Sequence, residues 1–525
     1  MYGRLITSSA LLVAGLAFLL DRWATSLTPN LPELQIGRNN TVLFLTNTEH
    51  GLSNVFVATA YALLDHHPEI QVHYASFEQI AARIERVSDY GVRKTPSAHR
   101  IVFHELPGPS FLANMIKFGK TLTDAVHPPG LASASYASRD MTFYVSPWSG
   151  EDHFAIYSKA LDIINEVDPA VVVLDAFLRP AVDATRNHSR LHAFMSPLTP
   201  IESFPLTQPY LKWLWKYPVM GSGIAYPIPW IRMPESIYLN LQYFYSMFRM
   251  SQAKATARFL RSKGITGPIS WFNLYRANVP WLTQALPGAS TQLDVIPPNV
   301  TFTGPILLTL SPAEEQSPAL VKWLSRAPTI LVNLGSLFVW TEGQAAVMAQ
   351  ALADTMLENP DLQVLWKFRK ALVNGSGGEY GDAFSKPLSP FLQNGRLRLE
   401  RWLEADPTAL MQTGHIVASV HHGGAGCYHE ALGTGVPQVV LPQWLDHFSF
   451  AQVAESAGVG VWGCRDASPH WRVECLRDAL STVAGNSERG SNIRQNASMF
   501  GEIVQKSPGQ YIAASHIAKL ANSGY

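Results

Sequence analysis

Beyond residue 38, short apolar runs alternate with longer stretches whose apolar residues recur at helical spacing. The runs 41–46, 71–75, 101–104 and 170–174 are short and mostly apolar, and 55–64 between the first two has a helical period. Strands that are apolar on both faces belong to parallel sheets covered by helices on both sides. A second series begins at Thr329, with runs at 329–334, 364–366, 397–399, 416–420 and 438–441 and helical stretches between them. The pattern predicts two α/β halves, 39–296 and 313–500. Residues 297–312 hold four prolines and Gly304, which favour an extended crossing between the halves. A last helical pattern covers 509–521 within the tail 501–525.

Two stretches break the alternation. Residues 6–20 form an apolar run preceded by Arg4 and closed by Asp21 and Arg22. That length suits a signal-peptide core and is short for a bilayer-spanning helix, so 1–26 is read as a signal or anchor segment. Cleavage, retention as an anchor, a hairpin on the cytosolic face and a buried amino-terminal helix all fit the run. The first two would deliver the chain to the endoplasmic reticulum or another endomembrane. The second stretch, 204–248, is dense in aromatics, including Trp213, Trp215, Tyr217, Trp230, Tyr238 and Tyr245. Aromatics with polar handles suit an acceptor pocket or a membrane interface, and a core beneath a long insertion is the plain alternative.

Composition narrows the partners. With 525 residues, 47% hydrophobic and 15% charged, the chain can bury two substantial cores. Forty basic and forty acidic residues leave no net charge, which gives no support for a nucleic-acid partner. Three cysteines, Cys427, Cys464 and Cys475, rule out a disulfide framework. Asn39, Asn187, Asn299, Asn374 and Asn496 begin N-x-S/T triplets, a weak signal of glycosylation.

The most informative chemistry lies between residues 416 and 447. An apolar strand runs into His421-His422-Gly423-Gly424-Ala425-Gly426-Cys427, and a helix follows. Small residues opening a helix present unpaired backbone N–H groups and a positive dipole end to an anion. His422, with Gly424 and Gly426 in the turn, is placed to meet a diphosphate; Glu430 offers a carboxylate to ribose hydroxyls. Asp446 follows the next strand, at the carboxyl edge where ligands of open α/β sheets bind.

In the first half, His50 stands on the loop after the first strand. Its unperturbed pKa near 6.5 suits a general base. Asp175 ends the run 170–174 and is the candidate to orient that imidazole; capping of the next helix is the ordinary role for such an Asp.

The segment from His422 to His447 resembles the signature of the UDP-dependent glycosyltransferases that include plant secondary-metabolite and animal drug-conjugating enzymes, and most closely their fungal members. The resemblance implies the GT-B architecture: two facing Rossmann-like domains with a cleft between them and a tail helix crossing back onto the first. It further implies His422 on the α-phosphate, Glu430 on the ribose, and Asp446 and His447 on the hydroxyls of the transferred sugar. Gly335-Ser336 match a loop near the phosphates, and Trp402 matches the indole that stacks on uracil. His50 matches the catalytic His and Asp175 its partner. Two positions depart from the pattern. Cys427 stands where Ser is usual beside the β-phosphate, and His447 where Gln is commoner, leaving the sugar open.

Two other motifs point elsewhere. The run from Gly458 to Gly463 spells G-x-G-x-x-G but follows a helical pattern, which contradicts a dinucleotide fingerprint. His421, His422, His429 and His447 lack metal-site spacing. The expected activity is therefore inverting, metal-independent transfer of a sugar, glucose first, from a UDP-sugar to a hydroxyl of a lipophilic polyketide, terpenoid, phenol or sterol. A nucleotide-binding scaffold without transfer is the main alternative, and a nicotinamide oxidoreductase rests on the glycine motif alone.

Overall fold

The computed structural model describes residues 33–119, 122–270, 274–308, 310–371 and 380–524. The segment 1–26 and Asn374 lie outside them. Among the described residues no helix is long and apolar enough to cross a membrane.

Two all-parallel sheets organise the chain. The first contains β1 (Arg38–Leu45), β2 (Gln71–Ser76), β3 (Val102–Glu105), β4 (Pro169–Asp175), β5 (His192–Ser196), β6 (Trp281–Thr283) and β7 (Val300–Phe302), in the order β3-β2-β1-β4-β5-β6-β7. The second contains β8 (Thr329–Val332), β9 (Gln363–Lys367), β10 (Leu397–Glu400), β11 (Ile416–His421), β12 (Gln438–Val440) and β13 (Gly460–Trp462), in the order β10-β9-β8-β11-β12-β13. Strand order reverses between β1 and β4 and between β8 and β11, and ligands bind in the crevice at such switch points. His50 and Asp175 follow or end the strands of the first switch; Gly335 and His422 follow those of the second.

Burial explains the central strands. All seven residues of β4 are buried, because helices cover both faces. The helix His50–His66 lies against this sheet, and Gly91 lets the helix Ala81–Lys94 approach Leu64: a Cβ there would stand 2.7 Å from Leu64 Cδ2. The tail helix Gly509–Ala521 packs on His50–His66, with Ala513, Ala514 and Ile517 in the first half's core. At its start, Gly509 passes so close to Pro305 that a Cβ would meet the Pro305 carbonyl at 2.4 Å. The carboxyl terminus thus ties the crossing segment to the first half.

Several features differ from the sequence expectation. β7 extends the first sheet to Phe302, so the early part of the segment read as the crossing is strand. β13 lies within the G-x-G-x-x-G run, where a Cβ on Gly460 would meet the Gln438 carbonyl at 2.4 Å. Gly460 and Gly463 therefore serve close packing between strands. Cys464 and Cys475 form a disulfide across a Cα separation of 5.2 Å. Asn187, Asn299 and Asn496 commit their side-chain N–H groups to the carbonyls of Asp183, Ala277 and Gly458, which makes them poor sugar acceptors.

Candidate active site

The donor side is shaped by glycines around one imidazole. Gly335, after β8, has φ +87°, and a Cβ on it would stand 2.6 Å from His422 Cε1. Gly424, which precedes the helix Ala425–Thr434, would put a Cβ 2.6 Å from His422 Nε2. Only residues without side chains leave room for this ring between the two loops. His447 packs 4.4 Å from it, ring to ring, and Trp444 lies 4.2 Å from His447. His422 Nδ1 and His447 Nδ1 have no hydrogen-bond partner among the described residues. Burial first, then His421 and Lys367, pushes His422 down to about 3. It is a neutral imidazole with a free nitrogen. Its neighbour His421 is committed elsewhere, its Nε2 on Gln438 Oε1 at 2.8 Å and its Nδ1 accepting from Gly423 N–H.

Charge collects at the strand ends around this ring. Lys367, ending β9, donates to the Gly335 carbonyl at 3.1 Å and lies 3.9 Å over the Trp402 ring. Burial lowers Lys367 to about 8. Glu430 is raised to about 7, by burial first and then by Asp406. Cys427, a free thiol, is raised by burial and Glu430, so it is a neutral group. The Ser336 carbonyl accepts from Arg369, and Gly426 faces the Asn54 side chain of the first half. Asp446, in the first turn of the helix Asp446–Ser456, is raised to about 8 by burial and then by Glu202 of the first half.

His50 is the catalytic candidate that reaches this wall. Its ring is 6.4 Å from that of Trp402, centroid to centroid. It is open to water in the cleft while atoms of both halves crowd it. Desolvation first, then the positive charges of Arg83 and Lys367, lower it to about 4. It is therefore neutral at physiological pH, with a lone pair free to take a proton.

Asp175 does not meet His50 directly. Its Oδ2 accepts from Asn47 N–H and Nδ2–H at 3.2 and 2.9 Å, and its Oδ1 accepts from Phe177 N–H at 2.9 Å. The direct His–Asp pair expected from the sequence is replaced by a clamp on the loop that leads to His50. Asn47 is the reason, since its amide reaches the carboxylate first.

Four contributors were not picked out from the sequence. Lys367 was legible in principle, as a basic residue at the carboxyl end of a strand. Arg83 comes from the first half, donates to Asn54 Oδ1 at 2.5 Å and interacts electrostatically with Glu430. Glu202 lies beside Ser449 and Asp446. His127 accepts the Leu445 N–H at 3.0 Å, holding the loop just before Asp446. No local motif marks the last three, because their role exists only across the cleft. Among the described residues, no group of three His, Cys, Asp or Glu side chains is arranged to hold a metal ion.

Comparison with known proteins gives the family and the fold. Residues 398–505 match the family model described as erythromycin biosynthesis protein CIII-like, C-terminal domain. The chain is 33% identical over 512 residues to glycosyltransferase sdnJ of Sordaria araneosa, covering 91% of this chain and 97% of that protein. The chain belongs to the UDP-dependent glycosyltransferase family. Its fold is shared with solved structures of the glycotransferase of kitacinnamycin (TM-score 0.58, 17% identity, 92% of this chain and 100% of that one) and of UDP-glucose: anthocyanidin 3-O-glucosyltransferase in complex with UDP (TM-score 0.58, 14% identity, 93% and 100%). This UDP-glycosyltransferase has the two-domain α/β architecture that its sequence implied.

Proposed function

We propose that this glycosyltransferase moves glucose from UDP-glucose, with inversion, to a hydroxyl of a lipophilic small molecule such as a polyketide, terpenoid, phenol or sterol. The observation that carries the reading is the convergence of His50 from one half with Trp402, Lys367 and Glu430 from the other. In this proposal His50 takes the acceptor proton as the hydroxyl oxygen attacks the anomeric carbon, and UDP leaves from the opposite face. Asp175 acts through Asn47, fixing the loop that carries the base. Trp402 stacks on uracil, Glu430 holds the ribose, and His422 with the N–H groups near Gly424, Gly426, Cys427 and Ser336 receives the diphosphate. Lys367 supplies positive charge there, the service a metal ion gives in other transferases. Asp446 and His447 hold the sugar hydroxyls.

Glucose is favoured because Asp446, which interacts with Glu202, and His447, whose Nδ1 has no partner among the described residues, offer acceptors and donors to several hydroxyls. The apolar run at 6–20 supports placement at an endomembrane. The test is UDP release and product formation by the purified protein and its His50→Ala variant, with a panel of UDP-sugars and phenolic, terpenoid and sterol acceptors, with and without chelator. Turnover with UDP-glucose that is insensitive to chelator and lost in the variant supports the proposal. Binding of UDP without release above the variant supports a nucleotide-binding scaffold instead.

A further inference from the structure

The helix Met233–Arg249 is built inside out. Its inward face carries Ser236, Asn240 and Ser246 beside Leu239, and these polar groups bond within the helix: Asn240 Nδ2 donates to the Ser236 carbonyl at 2.9 Å and Ser246 Oγ to the Gln242 carbonyl at 2.7 Å. Its outward face carries Ile237, Tyr238, Leu241 and Tyr245, at helical spacing, and the preceding turn adds Trp230 and Ile231. Trp230 is 79% exposed, Ile231 69% and Leu241 59%. Single apolar residues on a surface are ordinary, but a continuous aromatic and aliphatic face turned to water marks a binding surface.

The charge around this face identifies what covers it. Residues 203–270 contain eight Lys and Arg against a single acid, Glu235, in a chain whose totals are balanced at forty each. Arg232 is paired with Glu235, and Lys212 and Lys216 with Asp294. The next helix, Ser251–Ser262, has no acidic residue and exposes Lys254, Arg258 and Arg261. Tyr and Trp beside Leu and Ile, followed along the chain by exposed cations with no ion pair among the described residues, fit the boundary between acyl chains and anionic headgroups. A second copy of the chain fits worse, because a two-fold contact would set these cations against their own copies.

We propose that this face seats the enzyme on the surface of an anionic lipid bilayer. The helix's inner side faces the site. Tyr243 donates to the Met220 carbonyl, and the adjoining Gly221 lies against His127, which holds the loop before Asp446. Docking there brings the cleft to the membrane surface, where lipophilic molecules concentrate. The surface is independent of the sugar and acceptor assigned above.

The test uses the full chain carrying an environment-sensitive fluorophore at Leu241→Cys, with Tyr245→Cys as a second position and the exposed Leu357→Cys in the other half as control. Emission is read on phosphatidylcholine vesicles with and without phosphatidylserine. A blue shift at 241 and 245 on anionic vesicles, none at 357, and partitioning weakened about tenfold or more by K254E/R258E support the proposal. Sedimentation with vesicles without a shift at 241 or 245 means that the chain is anchored elsewhere and overturns it. So does a shift that rises with protein concentration in the absence of vesicles, or an equal response to uncharged vesicles.

Discussion

On the donor wall, His422 is wedged between Gly335 and Gly424, and its ring leaves no room for a methyl group at either. On the facing wall, His50 stands at a helix start whose neighbour Gly51 has open space around it, and side-chain bonds hold the loop before it, among them the clamp of Asn47 on Asp175 and Glu49 accepting from Leu112 N–H. One wall is defined by close backbone approach and buried neutral groups; the other by a side chain on a loop. The difference teaches where each function can tolerate change. Diphosphate recognition needs backbone N–H groups at fixed positions, whereas the base needs only one nitrogen within reach of an acceptor that varies in shape.

The comparison breaks first at His50. His50→Ala is expected to lower kcat by about 10²–10⁴-fold while leaving the affinity for UDP, read by calorimetry, unchanged. A parallel loss of UDP affinity would show that the two walls are not separable. Gly335→Ala probes the other wall. A methyl group there both strains a backbone at φ +87° and collides with His422. The expected outcome is a rise in KM for the UDP-sugar of about 10–100-fold, equivalent to roughly 1.4–2.8 kcal/mol, with KM for the acceptor unchanged. Equal rises in both KM values would place the damage in the fold.

Lys367 joins the walls, and its removal reads the coupling between them. His50 must be neutral to act. Its pKa, lowered from 6.5 to about 4 by desolvation, then by Arg83 and Lys367, keeps it neutral through most of the acid range. The acid limb of kcat/KM should therefore fall well below pH 6. In Lys367→Met one of the charges that opposes protonation is gone, so His50 titrates at higher pH and the limb moves up. Donor KM should also rise, by about tenfold, for the lost charge near the diphosphate. In wild-type enzyme the limb of kcat should lie above that of kcat/KM, because bound diphosphate brings negative charge next to the same imidazole. A limb at the same pH in wild type and variant would remove His50 from the role of base.

The donor wall was legible in the sequence because its geometry is local. A strand, a run of small residues and a helix follow one another from 416 to 434, and the chemistry of an anion site follows from that order. The central strands were legible for a related reason: β4, β8, residues 41–45 of β1 and most of β11 are buried and so mostly apolar. β5, β6, β7 and β13 were not: a short strand carries little pattern of its own, and the equally short β12 was read because it follows the glycine-rich turn and helix of the donor motif. Arg83, Glu202 and His127 could not be read because each acts on residues more than 200 positions away. The aromatic segment was legible only as a composition. Its period did not say which side faces inward, and the structure shows Tyr217 buried and Trp230 exposed within one stretch.

That ambiguity leads to the smallest expected effect and the most discriminating one. If the outward face of Met233–Arg249 served the fold or the acceptor pocket, Leu241→Ser would lower the melting temperature or raise the acceptor KM. Its exposure argues for neither. An exposed apolar side chain contributes little to folding, so the change in stability should stay within about 0.5 kcal/mol. Steady-state rates with a water-soluble phenolic acceptor should equal those of the wild type. With the same acceptor class presented in anionic vesicles, the rate of the variant should fall below wild type, since only then does the face have a surface to meet. A melting curve and two rate measurements thus separate three roles for one leucine. Only the membrane role leaves both the fold and the soluble reaction untouched.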